Sequence, residues 1–241
     1  MFGDIEFSHD FQPIVDVDEG SIVSYEALLR GKNQEPPVVI FNQVGERSLH
    51  CFDQYNRERA ISLAARLGID CAINLNFLPS DILQDDGRCL TQTIDAFKAN
   101  GLDPKQLVIE ITESEVVEHH ESLCRILNKV RREKISIAID DFGAGYAGLN
   151  LLASIQPDIL KIDMSLLRGI SECGPRQAIV RAIYNMSIDL GIELLAEGVE
   201  QESEYNWLRD LGISLYQGYL FGKPEFERLP TVNELDFPIV A

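Results

Sequence analysis

The sequence predicts an α/β fold, a (β/α)8 barrel, and three observations lead there. Eight short apolar runs recur along 241 residues, a length at which α/β barrels form a single unit. Most of the runs are separated by amphipathic helical patterns, the alternation expected of a sheet covered by helices. The competing architecture, an open doubly wound sheet, lacks its G-x-G-x-x-G signature after a first strand.

The strand candidates, in order, are Phe11–Asp16, Ile22–Leu29, Cys71–Leu75, Leu107–Thr112, Ile135–Asp140, Ile159–Asp163, Ile192–Glu197 and Tyr216–Phe221. The first two flank the short turn Asp18-Glu19-Gly20, which fits an antiparallel hairpin. Leu123, Ile126, Leu127 and Val130 repeat at i, i+3, i+4, i+7 and predict a helix. Ile179, Ile183, Met186 and Leu190 predict one face of another. Pro175 near its start and Gly191 past its end are the expected boundaries. The loosest stretches are 31–37 and the tail from Lys223. His119 and His120 fall early in a helix and read as solvated surface, while Trp207 and Phe221 read as core packing.

Composition narrows the function. Apolar residues make up 45% of the chain, enough for a sizeable core. A net charge of −18 argues against nucleic-acid polymers and anionic membrane surfaces. A phosphate substrate would need bound cations to draw it in. The five cysteines are odd in number and irregularly spaced, with no C-x-x-C, so neither a disulfide framework nor a thiolate zinc site is expected. The N-terminus lacks a signal-peptide pattern, and no apolar run approaches the roughly 20 residues of a membrane span. A cytoplasmic location is expected.

Strand parity supplies the chemistry. Side chains alternate faces along a strand. Ile137 and Ile139 share one face, and Ser136, Ala138 and Asp140 the other. Glu110 opposes Ile109 and Ile111, Asn74 opposes Ile73 and Leu75, Lys161 opposes Leu160 and Ile162, and Glu197 opposes Leu194 and Ala196. The polar set is expected inside the barrel near the C-terminal strand ends, where barrel enzymes hold their active sites. Burying Glu26, Glu110, Asp140, Asp141 and Glu197 together is costly unless protons or cations offset their charge. Their oxygens, with that of Asn74, suit Mg²⁺ or Mn²⁺ better than zinc. The adjacent pair Asp140-Asp141 is placed to serve two ions, a recurring device in phosphodiester hydrolysis. Lys161 has two compatible readings, as a group that orients water or as a counter-ion to Asp140 or Glu197.

These residues lie in runs that resemble the EAL phosphodiesterase family. Tyr25-Glu26-Ala27-Leu28-Leu29-Arg30 resembles the naming motif, preceded by Phe11-Gln12-Pro13-Ile14-Val15. Ile73-Asn74-Leu75, Glu110-Ile111-Thr112-Glu113 and the loop Asp140-Asp141-Phe142-Gly143-Ala144-Gly145-Tyr146 follow in family order. Pro157 to Asp163, Ala196-Glu197-Gly198-Val199-Glu200 and Gln217-Gly218-Tyr219 complete the set. The likeness runs from about Phe7 to Pro224, within one EAL domain expected over 1–241 with a tail at 225–241.

The resemblance implies a barrel whose first strand is antiparallel to the rest, two divalent cations, and hydrolysis of cyclic di-GMP to linear pGpG. It assigns Glu26, Asn74, Glu110 and Asp140 to one ion and Asp140, Asp141 and Glu197 to the other. It makes Glu26, Glu197 and Lys161 catalytic, with Lys161 positioning the attacking water. Gln12, Arg30 and Gln217 would contact bases and phosphates, and Glu113 would tether the Asp140-Asp141 loop. A homodimer is implied, with any sensory partner outside these residues. Ala144, Ala147 and Gly148 depart from the family's hydroxyl-bearing loop, which keeps open a catalytically silent cyclic di-GMP receptor acting through a protein partner. The stretch Pro37 to Gln43 looks more like EAL domains coupled to blue-light-sensing modules. Without the resemblance, another barrel metalloenzyme, a Mg²⁺-dependent lyase or phosphatase, fits the same residues.

Overall fold

The fold is that of a computed structural model, which describes residues 2, 5–45, 48–112, 119–145 and 148–235. A closed eight-stranded barrel forms from β1 (Phe7–Asp16), β2 (Ser21–Gly31), β3 (Ala72–Phe77), β4 (Leu107–Thr112), β5 (Ser136–Phe142), β6 (Ile159–Ile162), β7 (Glu193–Ala196) and β8 (Leu215–Tyr216). β2 to β8 run parallel to their neighbours, and β1 closes the ring antiparallel to both β2 and β8. A short β9 (Glu225–Phe226) adds to the upper half of β1.

The hairpin between β1 and β2 has a local cause. Asp16 Oδ1 accepts hydrogen bonds from the backbone N–H groups of Asp18 (2.8 Å) and Glu19 (3.1 Å), an Asx turn that reverses the chain. Because β1 runs the other way, its N-terminal half, and not its C-terminal end, lies toward the mouth of the barrel. Gln12 stands directly across from Glu26 in the ladder.

The helices follow the strands. They are α1 (Pro37–Val44), α2 (Leu49–Arg66), α3 (Pro79–Gln84), α4 (Arg88–Ala99), α5 (His120–Val130), α6 (Gly148–Ile155), α7 (Met164–Leu167), α8 (Gly174–Leu190) and α9 (Glu202–Leu211). On α5 the four residues of the expected apolar face are all buried. α8 begins at Gly174-Pro175 and is closed by Gly191 in the left-handed region, as its boundary residues require. Its buried face is rotated from the expected one. Val180, Ile183 and Ser187 face the barrel, whereas Ile179 and Leu190 are exposed. Ser187 is buried on this face and donates its hydroxyl to the Tyr184 carbonyl.

Parity holds through the sheet. Ile73, Leu75, Ile109, Ile111, Ile137, Ile139, Leu160 and Ile162 pack with the helices in one continuous core, which leaves the barrel interior to their polar neighbours. Phe221 is fully buried, and Trp207 packs against the core with Arg181 over its ring. β8 ends at Tyr216, shorter than expected, because the chain turns over β7 there. Gly218 crosses so closely that a Cβ would lie 2.1 Å from the Val199 carbonyl oxygen, so only glycine fits. All five cysteines are free. No helix among the described residues is long and apolar enough to cross a membrane.

Candidate functional site

Five strands deliver polar side chains to one end of the barrel interior. Glu26 comes from β2, Asn74 from β3, Glu110 from β4, Asp140 from β5 and Lys161 from β6. Glu197 sits one residue beyond β7, and Gln217 one beyond β8. Lys161, fully buried, is the hub. Its Nζ lies 2.6 Å from Glu110 Oε1, 2.7 Å from Asp140 Oδ1, 2.7 Å from Glu197 Oε1 and 3.5 Å from Glu26 Oε2. Burial disfavours the lysine's charge, but Asp140, Glu110, Glu197 and Glu26 outweigh it and hold its pKa well above the usual value.

Amides brace the carboxylates. Asn74 Nδ2 donates to Glu110 Oε1 at 2.8 Å. Glu26 receives Asn76 Nδ2 on Oε1 at 3.1 Å and Gln217 Nε2 on Oε2 at 2.8 Å. Gln217 also donates to Gln12 Oε1 at 3.3 Å, so the two glutamines and Glu26 form one buried network. Arg30, four residues further along β2, has different partners. Its Nε pairs with Asp10 Oδ2 at 2.7 Å, and Nη1 donates to the Leu29 carbonyl at 2.8 Å. Glu113 and Ala147 lie outside the described residues.

Alternation alone would turn Asp141 away from Asp140. It does not, because the β5–β6 ladder slips register between Ile139 and Phe142 and Asp141 takes φ +56°. This left-handed conformation is uncommon for a non-glycine residue, though aspartate tolerates it better than most. The bulge aims two consecutive carboxylates at one place.

Two overlapping groups result. Carboxylate oxygens of Glu26, Glu110 and Asp140 lie within 4.8 Å of one another, as do those of Asp140, Asp141 and Glu197. The set fits hard divalent cations on its own chemistry. All donors are oxygens, and Asn74 Oδ1 and Glu110 Oε2 are buried with no hydrogen-bond partner among the described residues.

The carboxyls are strained electrostatically. Burial raises Glu110 to about 8, with Glu26 and Asp140 adding to the effect against Lys161. Burial, with Asp140 beside it, raises Asp141 to about 6, and burial lifts Glu197 well above its ordinary value. Each group thus holds a proton in the folded chain at pH values where the unfolded chain has released it. Its stabilising contribution is full at low pH and is lost as pH rises through about 6 for Asp141 and about 8 for Glu110. The metal-free protein should therefore lose melting temperature from this cluster between about pH 4 and about pH 8. Added Mn²⁺ should raise it more at the alkaline end, because ligands bind deprotonated. Scanning fluorimetry with and without Mn²⁺ reads both slopes, and an Mn²⁺ effect that shrinks with pH would contradict the assignment.

The cluster lies between two cavities. One, of about 570 Å³, is lined by Phe41, Leu49, Phe77 and Leu78 together with Asn76, Asp140 and Asp141. The other, of about 290 Å³, is lined by Gln12, Glu26, Asp163, Glu197, Gln217 and the half-exposed Tyr219. Asp141 borders both.

The EAL domain family matches this chain over residues 2–224. The chain belongs to the EAL domain family. A standalone EAL protein from Vibrio cholerae O395, solved with cyclic di-GMP bound, is 42% identical with a TM-score of 0.89 over 95% of this chain and 96% of that one. Klebsiella pneumoniae BlrP1 in its manganese and cyclic di-GMP complex at pH 9.0 is 36% identical with a TM-score of 0.86, over 92% of this chain and 56% of that one. Among curated relatives, the blue light- and temperature-regulated antirepressor BluF of Escherichia coli K12 is 34% identical over 92% of this chain and 55% of its own length. This chain thus spans about half of BlrP1 and of BluF.

Sequence reasoning missed two residues that the site uses. Asn76 stands at i+2 from Asn74 and so shares its face, a signal that parity does carry. Asp163, at the start of α7, borders the smaller cavity and contributes to the raised pKa of Asp141, yet as the polar end of an apolar run it reads as a helix cap, which it also is.

Proposed function

We propose that this domain is a divalent-cation-dependent phosphodiesterase that hydrolyses cyclic di-GMP to linear pGpG. The observation that carries the reading is the pair of carboxylate groups that share Asp140 around the buried Lys161, set between two cavities. A cyclic dinucleotide has that form, two purines flanking two phosphates. The V. cholerae and BlrP1 neighbours, both solved with cyclic di-GMP, support the same ligand, and BlrP1 was solved with Mn²⁺ or Ca²⁺.

Glu26, Asn74, Glu110 and Asp140 would hold one Mg²⁺ or Mn²⁺, and Asp140, Asp141 and Glu197 a second. Bound cations supply polarisation of the phosphate and a more acidic water. Lys161 Nζ, kept protonated by its four carboxylates, orients the attacking water and offsets charge building on the phosphate oxygens. Glu197, in its deprotonated form, receives the water's proton. The water oxygen bonds to phosphorus as the P–O3′ bond breaks, and the leaving O3′ takes up a proton from solvent, which leaves the 3′-hydroxyl and 5′-phosphate of linear pGpG. Gln12 and Gln217 join the ligand cavity to Glu26, and Arg30 offers a guanidinium fork to phosphate once it exchanges Asp10 for the ligand.

A second reading is favoured by the loop substitutions Ala144, Ala147 and Gly148 and by the BluF relative being an antirepressor. Here the domain binds cyclic di-GMP without turnover and acts through a protein partner. Cyclic di-GMP turnover with Mg²⁺ or Mn²⁺, an EDTA control and product analysis separates the two. Metal-dependent pGpG release establishes the enzyme. Binding without product establishes the receptor.

A further inference from the structure

The eight-stranded ring leaves a gap at its mouth. β8 pairs with β1 only at Val15 and Asp16, so the N-terminal half of β1 has no partner from β8 on that edge. Residues 225–235 fill the gap. β9 pairs Glu225 with Phe11 and Phe226 with Asp10, and the Glu227 N–H donates to the His9 carbonyl at 2.9 Å. Ser8 Oγ then donates to Glu227 Oε1 at 2.5 Å. Glu227 makes this contact at φ +51°, a left-handed conformation that glycine adopts more readily. Further along, Tyr25 Oη donates to the carbonyl of the buried Pro230 at 2.5 Å, and Leu229 and Leu235 pack against the main core. The connection between β1 and β2 carries no helix, and this segment lies against the hairpin instead.

Gln12 stands in the part of β1 that is held in this way. It follows Phe11, the partner of Glu225. Its Nε2 donates to the Gly222 carbonyl at 3.4 Å, and its Oε1 accepts from Gln217 Nε2 at 3.3 Å. An amide offers a donor and an acceptor end, and these two partners fix which is which. Gln12 also lines the smaller cavity. We infer that residues 225–235 form a strap that positions Gln12 for the ligand, with the Ser8–Glu227 hydrogen bond as its latch. The inference rests on the proposed reading of Gln12 as a ligand contact. An unpaired strand edge at the mouth opens locally at low cost, and the ligand would then have to order Gln12 as it binds.

The test measures cyclic di-GMP binding to the intact protein by calorimetry in EDTA, so that turnover does not intervene, with kcat and KM in Mn²⁺ and melting temperature in parallel. Glu227→Gly loses the latch while suiting the backbone there, and Ser8→Ala loses it from the other side. Each should weaken binding and raise KM by about threefold to fivefold, the scale of one net hydrogen bond, with kcat within about twofold of wild type. Glu227→Gln keeps an acceptor for Ser8 and should bind like wild type. In a Gln12→Ala background the latch variants should have no further effect, since the residue they position is gone. Latch variants that bind like wild type overturn the proposal. So does a loss that persists in full in the Gln12→Ala background, the result a merely structural strap would give. If Gln12→Ala alone binds cyclic di-GMP like wild type, the reading of Gln12 as a ligand contact fails, a result distinct from the other two.

Discussion

Lys161→Ala is expected to cost both turnover and fold, and the two costs separate. In the metal-free protein Lys161 Nζ meets four carboxylates inside the barrel. Removing the ammonium leaves them facing one another in a site where Glu110 and Lys161 are fully buried. Breaking a buried charge pair from one side typically costs about 3–5 kcal/mol. Here protonation of Glu110 and Glu197, whose pKa values are already raised, absorbs part of that. The melting temperature should fall clearly without metal and recover with Mn²⁺, whose charge takes over the lysine's electrostatic role. Turnover should not recover. Loss of a preorganised donor to the transition state costs on the order of 10²–10³ in kcat, with KM changed by less than about threefold. Lys161→Arg should not rescue it, since a planar guanidinium is larger than the enclosed space that holds one ammonium. If kcat survives in Lys161→Ala while stability falls, Lys161 is a counter-ion only.

The residues that were legible in the sequence are those for which strand alternation decides the outcome. Asn74, Glu110, Asp140 and Lys161 each interrupt an aliphatic face in step with the pleat, so their convergence follows once the strands close into a barrel. Asp141 required something parity forbids, a bulge and a positive φ, and only its place beside Asp140 in the family-like loop hinted at it. The apolar face of α8 was misplaced because the helix carries isoleucines on two sides. The side that packs carries Val180, Ile183 and the polar Ser187, a tertiary outcome absent from local periodicity. Arg57 left no trace. A cation on a helix reads as solvated, and its burial depends on Asp53, Gln54 and Phe77 meeting it from two different elements.

Asp140→Asn should show the opposite pattern to Lys161→Ala, an unharmed fold with no chemistry. Asp140 is the carboxylate that belongs to both candidate cation groups, and it stands at the bulge that turns Asp141 toward Glu197. Its amide replacement keeps the shape and removes one negative charge from a cluster in which Glu26, Glu110 and Glu197 already share one ammonium. In the metal-free state this relieves repulsion on Glu110 and Asp141, both of which Asp140 pushes upward. The metal-free melting temperature should stay level or rise. The Mn²⁺-dependent rise in melting temperature should disappear, because each group loses a charged ligand at once. Turnover of cyclic di-GMP should drop by about three orders of magnitude or more, the scale of losing metal-assisted charge stabilisation. Glu26→Ala, which touches one group only, should also abolish measurable turnover yet leave part of the Mn²⁺ stabilisation through Asp140, Asp141 and Glu197. Equal residual stabilisation in the two variants would mean that Asp140 does not bridge. A metal-free Asp140→Asn that melts well below wild type would mean that the Lys161–Asp140 pair is chiefly structural.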